Sequence, residues 1–152
     1  MKAPPSLRRE HEELHADLAA AGKLPGLLGQ TAREIARIMH PHFLREDEYA
    51  IPPLSLLPRL AKGQVSAEMA EVLPLIARLK EEMPLMIEEH RAILGAVRAF
   101  ALAAEAEGDE QCIRLAAELT VHAQLEEEVL YPAALLVGEV VKARLQPARV
   151  NR

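Results

Sequence analysis

Two stretches of this chain, His42-Phe43-Leu44-Arg45-Glu46 and His122-Ala123-Gln124-Leu125-Glu126, share a His-x-x-x-Glu spacing and stand 80 residues apart. On an α-helix a separation of four places an imidazole and a carboxylate one turn apart on one face, where both can grip a common cation. Each pair runs on into further acids and a proline: Asp47, Glu48 and Pro52 in the first, Glu127, Glu128 and Pro132 in the second. Upstream, His11 and His90 are each preceded by a glutamate and followed three residues later by Leu14 or Ile93, and they lie 79 apart. The chain therefore reads as two copies of one unit, a first-helix histidine followed by a second-helix His-x-x-x-Glu.

A lone histidine on an apolar helix face is usually structural. Repetition in register changes that, and His11, His42, Glu46, His90, His122 and Glu126 form one candidate ligand set. Imidazole with carboxylate suits Fe, Mn, Zn or Cu, and the lack of thiolate partners argues against an iron–sulfur cluster. Around this set the other polar residues read as ordinary. Asp47, Glu48, Glu127 and Glu128 are expected at the surface, with Glu127 the one able to compete with Glu126. Tyr49 and Tyr131 read as packing residues, Phe43 as core, and Cys112 as a small buried residue. His40 sits two residues before His42 and points about 200° away from it on a helix, so it is left out of the set.

The elements that must position these ligands are helices. Ala, Leu and Glu are abundant, aromatics are few, and no β-branched alternation marks a strand. A first helix is predicted after Pro4-Pro5, with Ser6 as N-cap and an end near Gly22; Leu7, His11, Leu14, His15 and Leu18 share its inward stripe. A second runs from about Pro25 to Ala50, kinked at Pro41 and closed by Pro52, Pro53 and Pro58. Residues 54–65 read as a midpoint linker, followed by a helical stretch from Ser66 to Glu107 with Pro74 and Pro84 inside it, as one kinked helix or two pieces. Gly108-Asp109 is a turn, with Asp109 capping the helix that carries His122; Pro132 bends or ends that helix. A short C-terminal helix to Leu145 and a loose tail over 146–152 complete the chain. Four principal helices with an apolar stripe apiece make an all-α bundle, whose core is a usual place for metal ligands.

With His11, His42-x-x-x-Glu46, His90 and His122-x-x-x-Glu126 aligned, the sequence resembles the hemerythrin-like, or HHE cation-binding, family over roughly residues 6–135. The most specific matches are His42 to Glu48 with Pro52, and His122 to Glu127 with Tyr131-Pro132. The resemblance implies a four-helix up-down bundle, extended here by the C-terminal helix, around a non-haem di-iron centre in which histidines cap each iron and Glu46 and Glu126 bridge them. Zinc or manganese would suit the same donors. Such a set leaves coordination positions open, so the implied function is binding or sensing of O2, NO or peroxide, or of iron itself. One departure stands out. Oxygen-carrying members place a His-x-x-x-His pair on the third helix, whereas Leu94 follows His90 at that spacing; His11-x-x-x-His15 on the first helix makes His15 a candidate fifth histidine.

Two other function classes stay open beside this one. A ferritin-like di-iron oxidase would use Glu-x-x-His units, of which only Glu12-x-x-His15 is present. A metal-stabilised structural or interaction module is the other. Composition excludes more than it selects: a net charge of −5 with no basic block disfavours nucleic acid, and no charge-free run reaches the ~18 residues of a membrane span. The single cysteine fits a reducing compartment, the N-terminus lacks the apolar run of a signal peptide, and the expected location is the cytoplasm. At 152 residues the expectation is one domain. No phosphate-cradling loop or nucleophile elbow supports a hydrolytic enzyme.

Overall fold

The structure, a computed structural model, describes residues 1–146; the tail expected over 146–152 lies, apart from Gln146, outside the described residues. Among the described residues there is no strand. Six α-helices follow in chain order: α1 (Pro5–Ala21), α2 (Gly26–Arg45), α3 (Leu57–Ala61), α4 (Val72–Glu107), α5 (Glu110–Leu125) and α6 (Tyr131–Leu145). Contacts close a ring, α1 on α2, α2 on α4, α4 on α5 and α5 back on α1. This is the expected four-helix bundle, with α6 as the extra C-terminal helix.

Local chemistry accounts for most of the boundaries. Proline stands at the first helical position of α1, where its missing N–H costs nothing. Ser6 is therefore inside the first turn and makes no cap, contrary to expectation. Gly108 ends α4 in the left-handed conformation at φ 67°, and the Asp109 carboxylate then accepts from the Cys112 N–H at 3.0 Å to start α5. Pro41 lies within an uninterrupted α2, and α4 is one element of 36 residues with Pro84 inside it. The midpoint linker is more ordered than a loop: a 3-10 turn over Pro52–Leu56 leads straight into α3.

A π-helical turn follows each His-x-x-x-Glu unit, Glu46–Ala50 after α2 and Glu126–Leu130 after α5. Each is closed by a bond from the residue five positions on: Ile51 N–H donates to the Glu46 carbonyl, and Tyr131 N–H to that of Glu126. Pro52 and Pro132 follow at once. A proline ring crowds the carbonyl four residues back and supplies no N–H, and widening the turn accommodates both.

Two apolar clusters sandwich the ligand layer. One is built from Leu14, Leu18, Ile35, Met39, Ile93, Phe100, Leu115 and Leu119, the other from Tyr49, Ile51, Leu79, Met86, Tyr131 and Ala134. On α2, α4 and α5 the candidate ligands fall between a member of the first cluster and a member of the second, and on α1 His11 lies between Leu7 and Leu14. Beyond the second cluster, Val137 and Val141 of α6 pack on Met69, Val72 and Ile76. Gly138 permits that approach, because a Cβ there would meet Ile76 Cγ2 at 2.8 Å.

Candidate metal centre

Each of the six residues in the candidate set is buried, at 0–4% exposure, although all six are polar or ionisable. Burial of that kind is costly unless the groups are paired or hold a cation. The structure brings them together in two overlapping groups. His11, Glu46, His122 and Glu126 each offer a ligand atom within 4.8 Å of the others, and so do His42, Glu46, His90 and Glu126. Both carboxylates are members of both groups, while each histidine belongs to one. Within the layer, His42 Nε2 lies 3.1 Å from Glu46 Oε1, His122 Nε2 3.2 Å from Glu126 Oε1, and His90 Nε2 3.4 Å from Glu126 Oε1. His11 Nε2 stands 3.5 Å from Glu46 Oε2.

Every one of these histidines turns its other nitrogen to an acid outside the layer. Nδ1 of His42 donates to Glu89 at 2.8 Å, that of His90 to Glu127 at 2.9 Å, that of His122 to Glu10 at 2.6 Å, and that of His11 faces Asp47 at 3.3 Å. A donor at Nδ1 fixes the ring orientation and leaves the Nε2 lone pair for the centre. The pattern obeys the repeat. Asp47 and Glu127 directly follow the two layer glutamates, and each serves the first-helix histidine of its own half. Glu10 and Glu89 directly precede the first-helix histidines, and each serves the second-helix histidine of the other half. Asp47 and Glu127 are solvent-exposed, as expected, and in addition each holds a buried ring.

Tyr131 also departs from expectation. Its hydroxyl donates to Glu46 Oε1 and lies 3.3 Å from His90 Nε2, and its ring stacks on His90 at 5.7 Å. It packs and also touches the ligand layer. Tyr49 turns the other way, donating to Glu82. Phe43 stacks on His11 at 4.4 Å, confirming it as core. His15 falls in neither group. It is half-buried, with its ring edge-on to Phe43 at 4.8 Å and to the exposed His40 at 5.7 Å. Cys112 is buried, as a small core residue should be.

The electrostatics are those of a shared-charge site. Burial and the neighbouring Glu126 charge push the Glu46 carboxyl up, so it favours its protonated form. For Glu126 burial acts the same way, but the Glu46, His122 and His90 groups beside it outweigh burial and hold that carboxyl far below the usual range. Burial opposes protonation of His42, His90 and His122, yet the carboxylates around them win and lift all three, His122 to about 9. Of the four layer histidines only His11 is lowered, by burial first. Two close acids dividing one charge is the expected outcome of like-charge repulsion. Among the described residues five buried side-chain atoms have no hydrogen-bond partner; apart from Arg45 Nε, four lie in the ligand layer, His11 Nε2, His122 Nε2, Glu46 Oε2 and Glu126 Oε2. All four belong to one of the two groups, and all are lone-pair donors of the kind a cation takes. The residues present therefore fit a metal.

The model of the Hemerythrin HHE cation binding domain matches residues 5–134, close to the span over which the motifs align. The chain belongs to the hemerythrin HHE cation-binding family, which implies binding of a metal cation, and its two His and Glu clusters could hold one. Comparison with curated proteins and with solved structures gives no match. None of the described helices is long and apolar enough to cross a membrane.

Proposed function

We propose that this chain holds two non-haem metal ions, most simply iron, and uses the loaded centre to bind or sense a small oxidant such as O2, NO or peroxide, or iron itself. His11 and His122 would serve one ion, His42 and His90 the other, and Glu46 and Glu126 both. The observation that carries this reading is that the two carboxylates are common to both four-residue groups. Zinc or manganese would satisfy the same donors.

Bound iron would supply redox chemistry and coordination positions left open by four protein residues per ion. The chain's own contribution is positioning. Asp47, Glu89, Glu127 and Glu10 hold the four rings, Tyr131 holds one oxygen of Glu46, and the apolar layers above and below keep bulk water from the site. Glu12 and His15, the one Glu-x-x-His unit, fall outside both groups, so no observation favours a ferritin-like oxidase. We place the protein in a reducing compartment, the cytoplasm, in keeping with its single cysteine.

Metal analysis of protein purified without added metal, with optical spectra taken before and after exposure to O2, tests the proposal. Two irons per chain and an oxygen-responsive spectrum are expected. At most one ion per chain under iron-replete conditions would refute a dinuclear centre, and a silent spectrum with full occupancy would point to zinc and a structural role.

A further inference from the structure

The repeat that matches the ligands does not extend to the charges around them. A groove of about 490 Å³ opens between α1 and α5, with Glu10, Glu13, Asp17, Glu118 and His122 in its wall and Leu14 among its apolar lining. Among the described residues, Glu13, Asp17 and Glu118 make no ion pair with any arginine or lysine, and Glu10 is engaged only by His122. At the positions the repeat makes equivalent to Glu13, Asp17 and Glu118 stand Ala92, Ala96 and Ile38. The acids on that opposite side are neutralised: Arg45 pairs with Glu89, and Arg78 with Glu48 and Glu82. One flank of the centre is thus an uncompensated acidic channel and the other is not.

A second asymmetry coincides with the first. His11 Nε2 and His122 Nε2, on side chains 4% exposed that belong to the His11–His122 group alone, have no hydrogen-bond partner, and His122 is also part of the groove wall. In the other group His42 Nε2 and His90 Nε2 touch at 2.9 Å, and the Tyr131 hydroxyl lies against Glu46 and His90. A cation entering there must first break contacts already made. One entering the His11–His122 position meets two imidazole nitrogens that make no hydrogen bond, which is the stronger gain for buried polar atoms.

We propose that the groove between α1 and α5 is the entry route for divalent cations and that it delivers them to the His11–His122 position before the His42–His90 position. Carboxylates without counter-charges concentrate cations above an apolar floor and speed their arrival. Glu10, which lines the groove and holds His122 Nδ1, joins the route to its end. The proposal rests on the dinuclear reading.

The test is rapid-mixing uptake of aqueous Co2+ by the metal-free full-length chain, followed by the cobalt absorption band. Glu13→Gln, Asp17→Asn and Glu118→Gln are combined in one variant. An equal charge loss at the exposed Glu68, Glu71 and Glu81, each changed to Gln, is the control. At low ionic strength the groove variant should load at least about tenfold more slowly than the control, with the difference shrinking as salt screens it. It should still finish at two ions. His122→Ala should lose the fast phase and His90→Ala should keep it. Uptake by the groove variant as fast as by the control overturns the route, and so does a normal rate with fewer ions bound, since the acids would then be ligands. If the native chain took up no cobalt, the dinuclear reading would fall and the route with it; two ions at an unaltered rate overturns the route alone.

Discussion

Replacing Glu126 by Gln should damage this protein more than loss of any one histidine, and in two separable ways. Glu126 is a member of both four-residue groups, so the change weakens a donor at each position, whereas His122 serves one. Metal analysis should return two ions for the native chain, roughly one for His122→Asn, and fewer than one for Glu126→Gln. The second effect belongs to the metal-free protein. His122 titrates at about 9 in the fold against an ordinary 6.5. Its protonation therefore stabilises the fold fully below pH 6.5, and that stabilisation is lost as pH rises through 9. The gap of about 2.5 pH units sets a ceiling of about 3 kcal/mol. Burial opposes the shift; among the groups that raise it Glu126 ranks first, ahead of Glu10 and Glu46. Glu126's own depressed pKa is the same interaction seen from its partner and adds nothing further. Urea denaturation of the metal-free protein at pH 6 should thus show a loss of roughly 2 kcal/mol for Glu126→Gln, shrinking at pH 9.5 where His122 is neutral in both proteins. An equal loss at both pH values would refute the charge argument, and retention of two ions would refute the shared carboxylate.

Tyr131→Phe should cost about 1–3 kcal/mol in urea denaturation, because the buried Glu46 oxygen loses its donor, and should shift the spectrum of the loaded centre without reducing the ion count; a variant indistinguishable from native on both readouts would leave Tyr131 as packing alone. Glu127→Gln should weaken metal affinity about 10–100-fold in competition with a chelator, the usual range for a group that orients a ligand, whereas Glu128→Gln, exposed and without such a partner, should not change it. His15→Ala should leave metal content and spectrum as His40→Ala does; a larger change would bring His15 into the centre as a fifth histidine. Chelation of the metal should lower the melting temperature, since it returns a dense set of buried acids and imidazoles to one another, and an unchanged melting point would mean an exposed, adventitious site.

The fold class and the six-residue set were readable because both are periodic. A spacing of four needs only local helix geometry, and the doubled unit supplied its own control. The outer acids were harder. Glu10 and Glu89 each stand one residue before a first-helix histidine, which was visible, but each serves the histidine of the other half, and only the packing of α1 on α5 and α2 on α4 reveals that crossing. Asp47 and Glu127 follow the layer glutamates and look like solvated neighbours; their exposure misleads, because one oxygen can face water while the other holds a ring. Ser6 failed as a cap for a local reason, since Pro5 had already begun the helix. His15 shares the stripe of His11, but Phe43 stacks on His11 and meets His15 edge-on, and no periodicity reports a side chain arriving from another helix.

The two π-helical turns let the chain carry one extra residue at each of those points. Five α-helical steps past Glu126 would place Tyr131 about 140° round the axis, off the ligand face, which is where a periodic reading puts it. The bond from Tyr131 N–H to the Glu126 carbonyl closes a wider turn and brings the phenol back over the layer. Deleting any single residue between 127 and 130 would let an ordinary turn close instead, with Tyr131 then four steps past Glu126 and only about 40° round the axis. Tyr131 would keep the side of the helix that faces Glu46, and Val137 and Val141 the side that faces Met69, Val72 and Ile76. The loss of one residue here should therefore be better tolerated than it would be within α5 or α6, and the wide turn works as a spacer that takes up one extra residue while keeping the last helix and the ligand layer in phase.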